Sequence, residues 1–314
     1  MRFIAATALA LACTVVAVWV VVAGPANDVD DVGGYHAAAS PPGDPVTVTV
    51  DAGASTKEIA DDLASKGAIA LVSSKSVTIV EGSRLEEIAD AVAAQGIDRT
   101  EFLAAARRSE YQFSFLEELR ASQRLDGYLF PAKYPIRKRD TGRDVVQRML
   151  QGFADNVPAS VEEQASAEDL TLHEVLTLAS IIEREAVVPE ERPIMAQVFL
   201  KRLRLGIALE ADPTVQYAVA NSPENVSKYG YWKKELTQED LDVDSPYNTR
   251  IESGLPPGPI CSPGLDSIKA VVNPAPTNYQ FFVAKPDGSH AFAETFQEHL
   301  ENIQRYGGDP GTPP

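Results

Sequence analysis

Cysteine is almost absent from this sequence. Only Cys13 and Cys261 carry a thiol, and Cys13 lies inside an apolar run. No internal disulfide is available, so the domain must rest on its buried core. Histidine is nearly as scarce: His36, His173, His290 and His299 are scattered without ligand spacing, which argues against a metal centre. Nothing else in the chain calls for a cofactor. Positive charge is in short supply as well. Lys and Arg number 28 against 45 Asp and Glu, for a net charge of −17. A surface this acidic repels phosphate backbones and anionic lipid, and nucleic acid is discounted as a partner.

Charge is missing altogether from Phe3 to Ala23. As a helix, that run is long enough to span a bilayer. Arg2 precedes it and Asp28, Asp30 and Asp31 come after it, so the positive-inside rule puts Arg2 in the cytoplasm and everything after Gly24 outside. The apolar core of a cleaved signal peptide is usually shorter. The expectation is an uncleaved anchor at 1–24; either arrangement exports the remainder of the chain. Residues 25–45, rich in Ala, Gly, Pro and Asp, read as a tether.

Beyond the tether comes a strand–turn–helix plan, used twice. Val46, Val48 and Val50 alternate as in a strand, and Ser55 or Thr56 caps a helix through Ile59, Ala60 and Leu63 that ends at Gly67. Val77 and Ile79 then give a second strand, Glu81-Gly82 a turn, and Ser83 with Glu86 a capping box. Ile88, Ala89 and Val92 form the buried face of that helix, and Gly96 stops it. Two such units about 30 residues apart predict a small repeated α/β module over 46–108. Further on the chain is mostly helical, in TEFLAAARR, DVVQRMLQGFADNV, TLHEVLTLASIIERE and PIMAQVFLKRLRLG. In the last of these, Pro193 suits the first turn and Gly206 the stop. Residues 211–278 are rich in Pro, Asn, Gly and Tyr and read as a long irregular stretch, a feature that usually shapes a site. YQFFVAKPDGSHAF reads as a hairpin turning at Pro286-Asp287-Gly288, and AETFQEHLENIQRY as a closing helix. The fold class is α+β: a single N-terminal transmembrane helix, a small strand–helix module, and a larger mixed helical domain over 109–306 with a C-terminal β-hairpin. A disordered tail is expected at 307–314.

ASIIEREAVVPEER places Glu183 and Glu185 at the end of an apolar helix. A helical side chain leans back over positions i−3 and i−4. For Glu185 those positions are Ile182 and Ile181; for Glu183 they are Ser180 and Ala179. Glu185 is therefore the carboxyl set against apolar surface, where desolvation raises its pKa and keeps a proton available near neutrality. Glu183 suits a structural salt bridge or a supporting hydrogen bond. Helix geometry alone leaves a plainer arrangement open, with both glutamates at an exposed helix end, paired with Arg184, Arg192 or Lys201.

The chain resembles the MltG (YceG-like) endolytic murein transglycosylases, from the anchor to about Tyr306. The resemblance is carried by LDGYLFPAKYPI, LASIIEREAVVPEERPIMAQVFLKRLRLGIALEADPTVQY, SPYNTRIESGLPPGPICSPGLDSIKAVVNPA and YQFFVAKPDGSHAF, in that order. It implies a single-pass membrane enzyme of the cell membrane with an extracytoplasmic catalytic domain. Such an enzyme cuts nascent peptidoglycan strands internally beside the synthases and leaves 1,6-anhydro-N-acetylmuramic acid ends. It also implies that the small N-terminal module is LysM-like and that the catalytic acid is Glu185. Departures from the pattern are Arg184 for Lys, Lys201 for Asn, Glu210 for Gln, Asp126 for Glu, and a short segment at 68–76. The last of these puts the size and function of the first LysM-like unit in doubt.

Candidates for the wall around the acid are Asp212, Thr214, Tyr217, Tyr247, Asn248, Thr249 and His290. Against these, Asp212, Thr214 and Asn248 also suit turns, and His290 a solvated hairpin. Tyr128, Phe130 and Tyr134 suit sugar stacking less well than core packing. Two other functions compete: a muramidase-type hydrolase with Glu210 or Asp212 as base for water, and an inactive wall-binding scaffold.

Overall fold

The structure is a computed structural model that describes residues 75–307, preceded by four three-residue strands. Those strands pair as Ala5–Thr7 with Ala17–Trp19 and Tyr35–Ala37 with Ile69–Leu71, both antiparallel. The remainder of the apolar segment and of the tether, the first strand–helix unit and the tail after residue 307 lie outside the described residues. No helix among the described residues is long and apolar enough to cross a membrane. From Ser76 onward the chain forms one compact unit.

That unit begins with β1 (Lys75–Thr78), where Val77 and then Ile79 point inward. Its partner is β2 (Lys133–Ile136), with the Ile79 N–H donating to the Ala132 carbonyl at 2.9 Å. The turn after β1 holds Gly82 at φ 78°, and a β-carbon there would meet the Arg184 side chain at 3.2 Å. Helix α1 (Leu85–Ala93) buries Leu85, Ile88, Ala89 and Val92 as its periodicity demands. Its cap differs from the Ser83–Glu86 box expected. The N-cap is Arg84, whose N–H donates to Glu87 Oε2 at 2.9 Å, while the Ser83 hydroxyl donates back to the Val80 carbonyl. Tertiary contact selects this register: the Arg84 guanidinium lies 4.0 Å over the Tyr217 ring, and Trp232 Nε1 donates to Glu87. The strand–helix unit thus shares its core with the helices that come after it.

Helix α2 (Arg99–Ala105) packs on α3 (Gly142–Asn156). In the segment connecting them, Tyr128, Phe130 and Tyr134 are all buried; they pack the core. After α4 (Ser160–Ala167) comes α5 (Leu172–Glu185), capped by Thr171, whose Oγ1 accepts from the Glu174 N–H. Leu172, Val175, Leu176, Leu178, Ala179, Ile181 and Ile182 are buried around most of its circumference. Each larger side chain contributes about 1.5–3 kcal/mol on burial, so α5 is firmly held. Helix α6 (Arg192–Leu205) packs beside it, with Pro193 in the first turn and Gly206 ending it at φ 69°.

The stretch from 211 to 278 is more regular than its composition suggests. It contains α7 (Asp212–Val219), α8 (Pro223–Tyr229), α9 (Gln238–Leu241) and α10 (Leu265–Val272). Pro213 and Pro223 sit in first turns, where the missing N–H costs nothing; they start helices where the composition had suggested irregular chain. The hairpin forms as expected. Strand β3 (Phe281–Ala284) pairs antiparallel with β4 (His290–Ala293), and the Gly288 N–H closes the turn on the Lys285 carbonyl. Helix α11 (Phe296–Tyr306), capped by Thr295, packs on both strands.

Candidate active site

The last turn of α5 sends successive side chains in three directions, 100° apart. Glu183 points to the start of α10. Its Oε2 accepts from the Gly264 N–H at 3.0 Å and the Ser267 hydroxyl at 2.6 Å, and Arg192 lies 3.7 Å from Oε1. Gly264 caps α10, so this carboxylate also meets the positive end of a helix dipole. The Arg184 guanidinium lies 4.0 Å over the Trp232 ring.

Glu185 is treated differently. It is half-buried, and its carboxyl has no hydrogen-bond partner among the described residues. One turn back, Ile181 and Ile182 are fully buried. Desolvation pushes its pKa up to about 7; Asp212 adds to the rise and Arg250 opposes it. The carboxyl is thus half protonated at neutral pH, the state a group needs in order both to give and to take a proton.

Asp212 opens α7, and its Oδ1 accepts from Arg250 Nη2 at 2.8 Å and Nε at 3.1 Å. This ion pair is the polar neighbour of Glu185. Behind it, Thr214 and Thr249 bridge through their hydroxyls at 2.8 Å, and Thr249 Oγ1 also accepts from the Ala211 N–H. Asn248 donates to the Leu241 and Val243 carbonyls and accepts from the Arg250 N–H. Thr214, Asn248 and Thr249 are buried to within 1%. The motif SPYNTR therefore ends in a braced loop, with Arg250 as the residue that emerges beside the acid. Sequence reasoning quoted that motif and passed over Arg250, although it directly follows Thr249.

Two other candidates, Tyr217 and Tyr247, stand together at 4.6 Å between ring centroids and line a cavity of about 420 Å³. His173 lines the same cavity. It lies twelve residues before Glu185 on α5, about 18 Å at the helical rise. His173 and Glu185 therefore stand near opposite ends of α5. Helix α7 opens with Asp212 and carries Tyr217, which lines the cavity, about one and a half turns on. His290 lies on β4 and meets Glu191, six residues beyond Glu185. Its Nδ1 lies 2.7 Å from Glu191 Oε2, and its N–H donates to Glu191 Oε1, which fixes the hairpin to the chain ahead of α6. Glu210 pairs with Arg202 at 3.1 Å. Among the described residues, no group of three or more His, Cys, Asp or Glu is arranged to hold a metal ion.

Comparison with known proteins places this architecture. The YceG-like family matches residues 47–305. The endolytic murein transglycosylase of Bacillus subtilis strain 168 is 37% identical over 183 residues, covering 58% of this chain and 48% of that protein. The Streptococcus pneumoniae D39 protein of the same name is 33% identical over 187 residues, covering 59% of this chain and 33% of its own length. The chain thus spans half or less of the curated relatives it matches. The crystal structure of a yceG-like protein from Listeria monocytogenes superposes with a TM-score of 0.61 at 29% identity, covering 73% of this chain and 75% of that one. The mixed α+β fold is shared, the family match spans most of the sequence, and this chain belongs to the YceG-like family.

Proposed function

We propose that this protein is an endolytic peptidoglycan lytic transglycosylase with Glu185 as its single general acid and base. The observation that carries the reading is the Glu185 carboxyl, half-buried at the end of a rigid helix with a pKa of about 7. The names of its Bacillus and Streptococcus relatives support the same substrate class.

Hydrolytic glycosidases use two carboxylates because water must be activated as well as the leaving group protonated. A transglycosylase replaces water with the C6 hydroxyl of the muramyl ring. That nucleophile is already tethered to the carbon it attacks, so its effective concentration is very high. Glu185 gives its proton to the glycosidic oxygen as the bond between C1 and that oxygen breaks. The resulting carboxylate takes the proton from the C6 hydroxyl as the new C1–O6 bond forms. The products are a new sugar hydroxyl and a 1,6-anhydro-N-acetylmuramic acid end. In this reading the Asp212–Arg250 pair faces the reacting sugar, Thr214, Asn248 and Thr249 hold the wall behind it, and Glu183 fixes the helix end.

The family resemblance and the apolar N-terminal run support a wider arrangement. Residues 1–24 anchor the protein in the cell membrane, 25–45 form a linker, 46–108 a shortened LysM-like module, and 109–306 the catalytic part outside the cytoplasm. Cutting nascent strands beside the synthases limits strand length. A hydrolase remains the second reading because Asp212, a carboxylate, is the strongest charged influence on Glu185. Mass analysis of cleaved strands decides between the two: anhydro ends are expected, and reducing ends incorporating water overturn the proposal.

A further inference from the structure

Glu185 is the last residue of α5, and the chain leaves the helix directly after it. Ala186 and Val188 are extended, Pro189–Glu191 forms a single 3-10 turn, and α6 starts at Arg192. Helix ends fray unless something ties them. Buried apolar side chains hold α5 as far as Ile182, and Glu183 ties the last turn to α10. Val187, two residues past the acid, is 71% exposed. The Glu185 carboxyl therefore stands where the packed helix gives out, and its place depends on what holds segment 186–191.

The hairpin grips that segment at two points. At Glu191 the grip is two-pronged: Oε1 accepts from the His290 N–H at 3.0 Å, and Oε2 lies 2.7 Å from His290 Nδ1. The two side chains are only 5% and 13% exposed, so solvent screens the contact little. His290 is itself anchored. Its ring stands edge-on to Phe282 at 5.4 Å, and Phe282 stands edge-on to Phe199 of α6 at 5.6 Å. At Val187 the grip is steric. Gly288, at φ 85°, lies so close that a β-carbon there would come within 3.2 Å of Val187 Cγ1. The tip that makes this contact is stiff. Asp287 Oδ1 accepts from both the N–H and the hydroxyl of Ser289, and the Lys285 N–H donates to the Ser289 carbonyl at 2.7 Å.

We infer that the β3–β4 hairpin is a clasp on the acid: His290, through Glu191, is a positioning residue that fixes segment 186–191 and with it the place of the Glu185 carboxyl. The inference rests on the reading of Glu185 as the acid. It goes beyond that reading by giving the hairpin a part in the reaction that needs no contact with the sugar. A carboxyl that must first give and then take a proton has to keep its reach to two oxygens. Loosening the segment that carries it costs turnover more than binding.

The test is steady-state cleavage of soluble uncrosslinked glycan strands by the full-length protein, with the Glu185 carboxyl titrated by carbon-13 NMR. His290→Ala is expected to lower kcat roughly 10- to 100-fold and to leave KM within about twofold. The loosened segment admits water, so the Glu185 midpoint falls from about 7 toward 4.5, a readout that a merely structural brace does not move. His290→Asn keeps a donor close to the place of Nδ1 and is expected to restore both readouts in large part. Glu191→Gln serves where His290→Ala fails to fold; it is expected to move kcat and midpoint in the same direction by a smaller amount. Wild-type kcat, or a midpoint that stays at about 7, in the folded variant overturns the clasp alone. A midpoint already near 4.5 in the wild type overturns the acid assignment and the clasp with it.

Discussion

On one side of the last turn of α5, Glu183 is held by a backbone N–H, a hydroxyl and a guanidinium. On the other, two residues along, Glu185 meets desolvation and a neighbouring carboxylate, with no hydrogen bond among the described residues. The same residue type on the same helix is hydrogen-bonded in one place and desolvated in the other by what neighbouring segments bring to it, and the proposed reaction uses the second. Hydrogen bonds to an ionised carboxylate stabilise charge and fold; leaving a carboxyl half-buried without them costs stability and keeps a proton to use.

That contrast can be broken from either side. The largest effect is on chemistry. Glu185→Gln should lower strand cleavage by about 10²–10⁴-fold with the fold intact, measured by release of soluble muropeptides alongside circular dichroism. Glu183→Ala should do the reverse. It strands the Gly264 N–H, Ser267 and Arg192 and should cost about 2–3 kcal/mol in denaturant melts, with activity per folded molecule far less affected.

The third prediction concerns pH. Glu185 has a folded pKa of about 7, above its ordinary 4.5, so between these values the native state binds more protons than the unfolded chain. The contribution of this group to stability therefore falls as pH rises through that window. Glu185→Gln should be more stable than wild type by about 1–3 kcal/mol at pH 8 and equal to it near pH 4, read from melts at the two pH values. The smallest effect belongs to the brace behind the acid. Thr249→Val removes the hydroxyl shared with Thr214 and the Ala211 N–H and should cost about 1–2 kcal/mol, with a partial loss of activity as Asp212 and Arg250 lose their backing.

Much of this fold was legible in the sequence where local and tertiary signals agree. Helix α6 shows Pro193 and Gly206 at its ends, and the hairpin shows its Pro-Asp-Gly turn. The apolar circumference of α5 needed only its periodicity. Legibility fails where a distant contact decides. Ser83 has the side chain of a cap, yet Arg84, whose guanidinium cannot accept a hydrogen bond, takes the N-cap position and packs on Tyr217. Between 211 and 278, Pro, Asn and Gly dominate the composition and hide short helices whose prolines are starting residues. Within the site, SPYNTR was visible as a motif, but sequence cannot say which side of a loop is buried. Asn248 and Thr249 turn inward, while Arg250 reaches Asp212 beside the acid. The cavity was invisible for the same reason, since Arg120, His173, Tyr217 and Tyr247 meet only in three dimensions.

The most direct measurement is the titration of the Glu185 side-chain carboxyl itself, followed by carbon-13 NMR and assigned by the resonance lost in Glu185→Gln. The account predicts a midpoint of about pH 7. A midpoint near 4.5, the ordinary value for a glutamate, would contradict it and remove the acid from the proposed reaction.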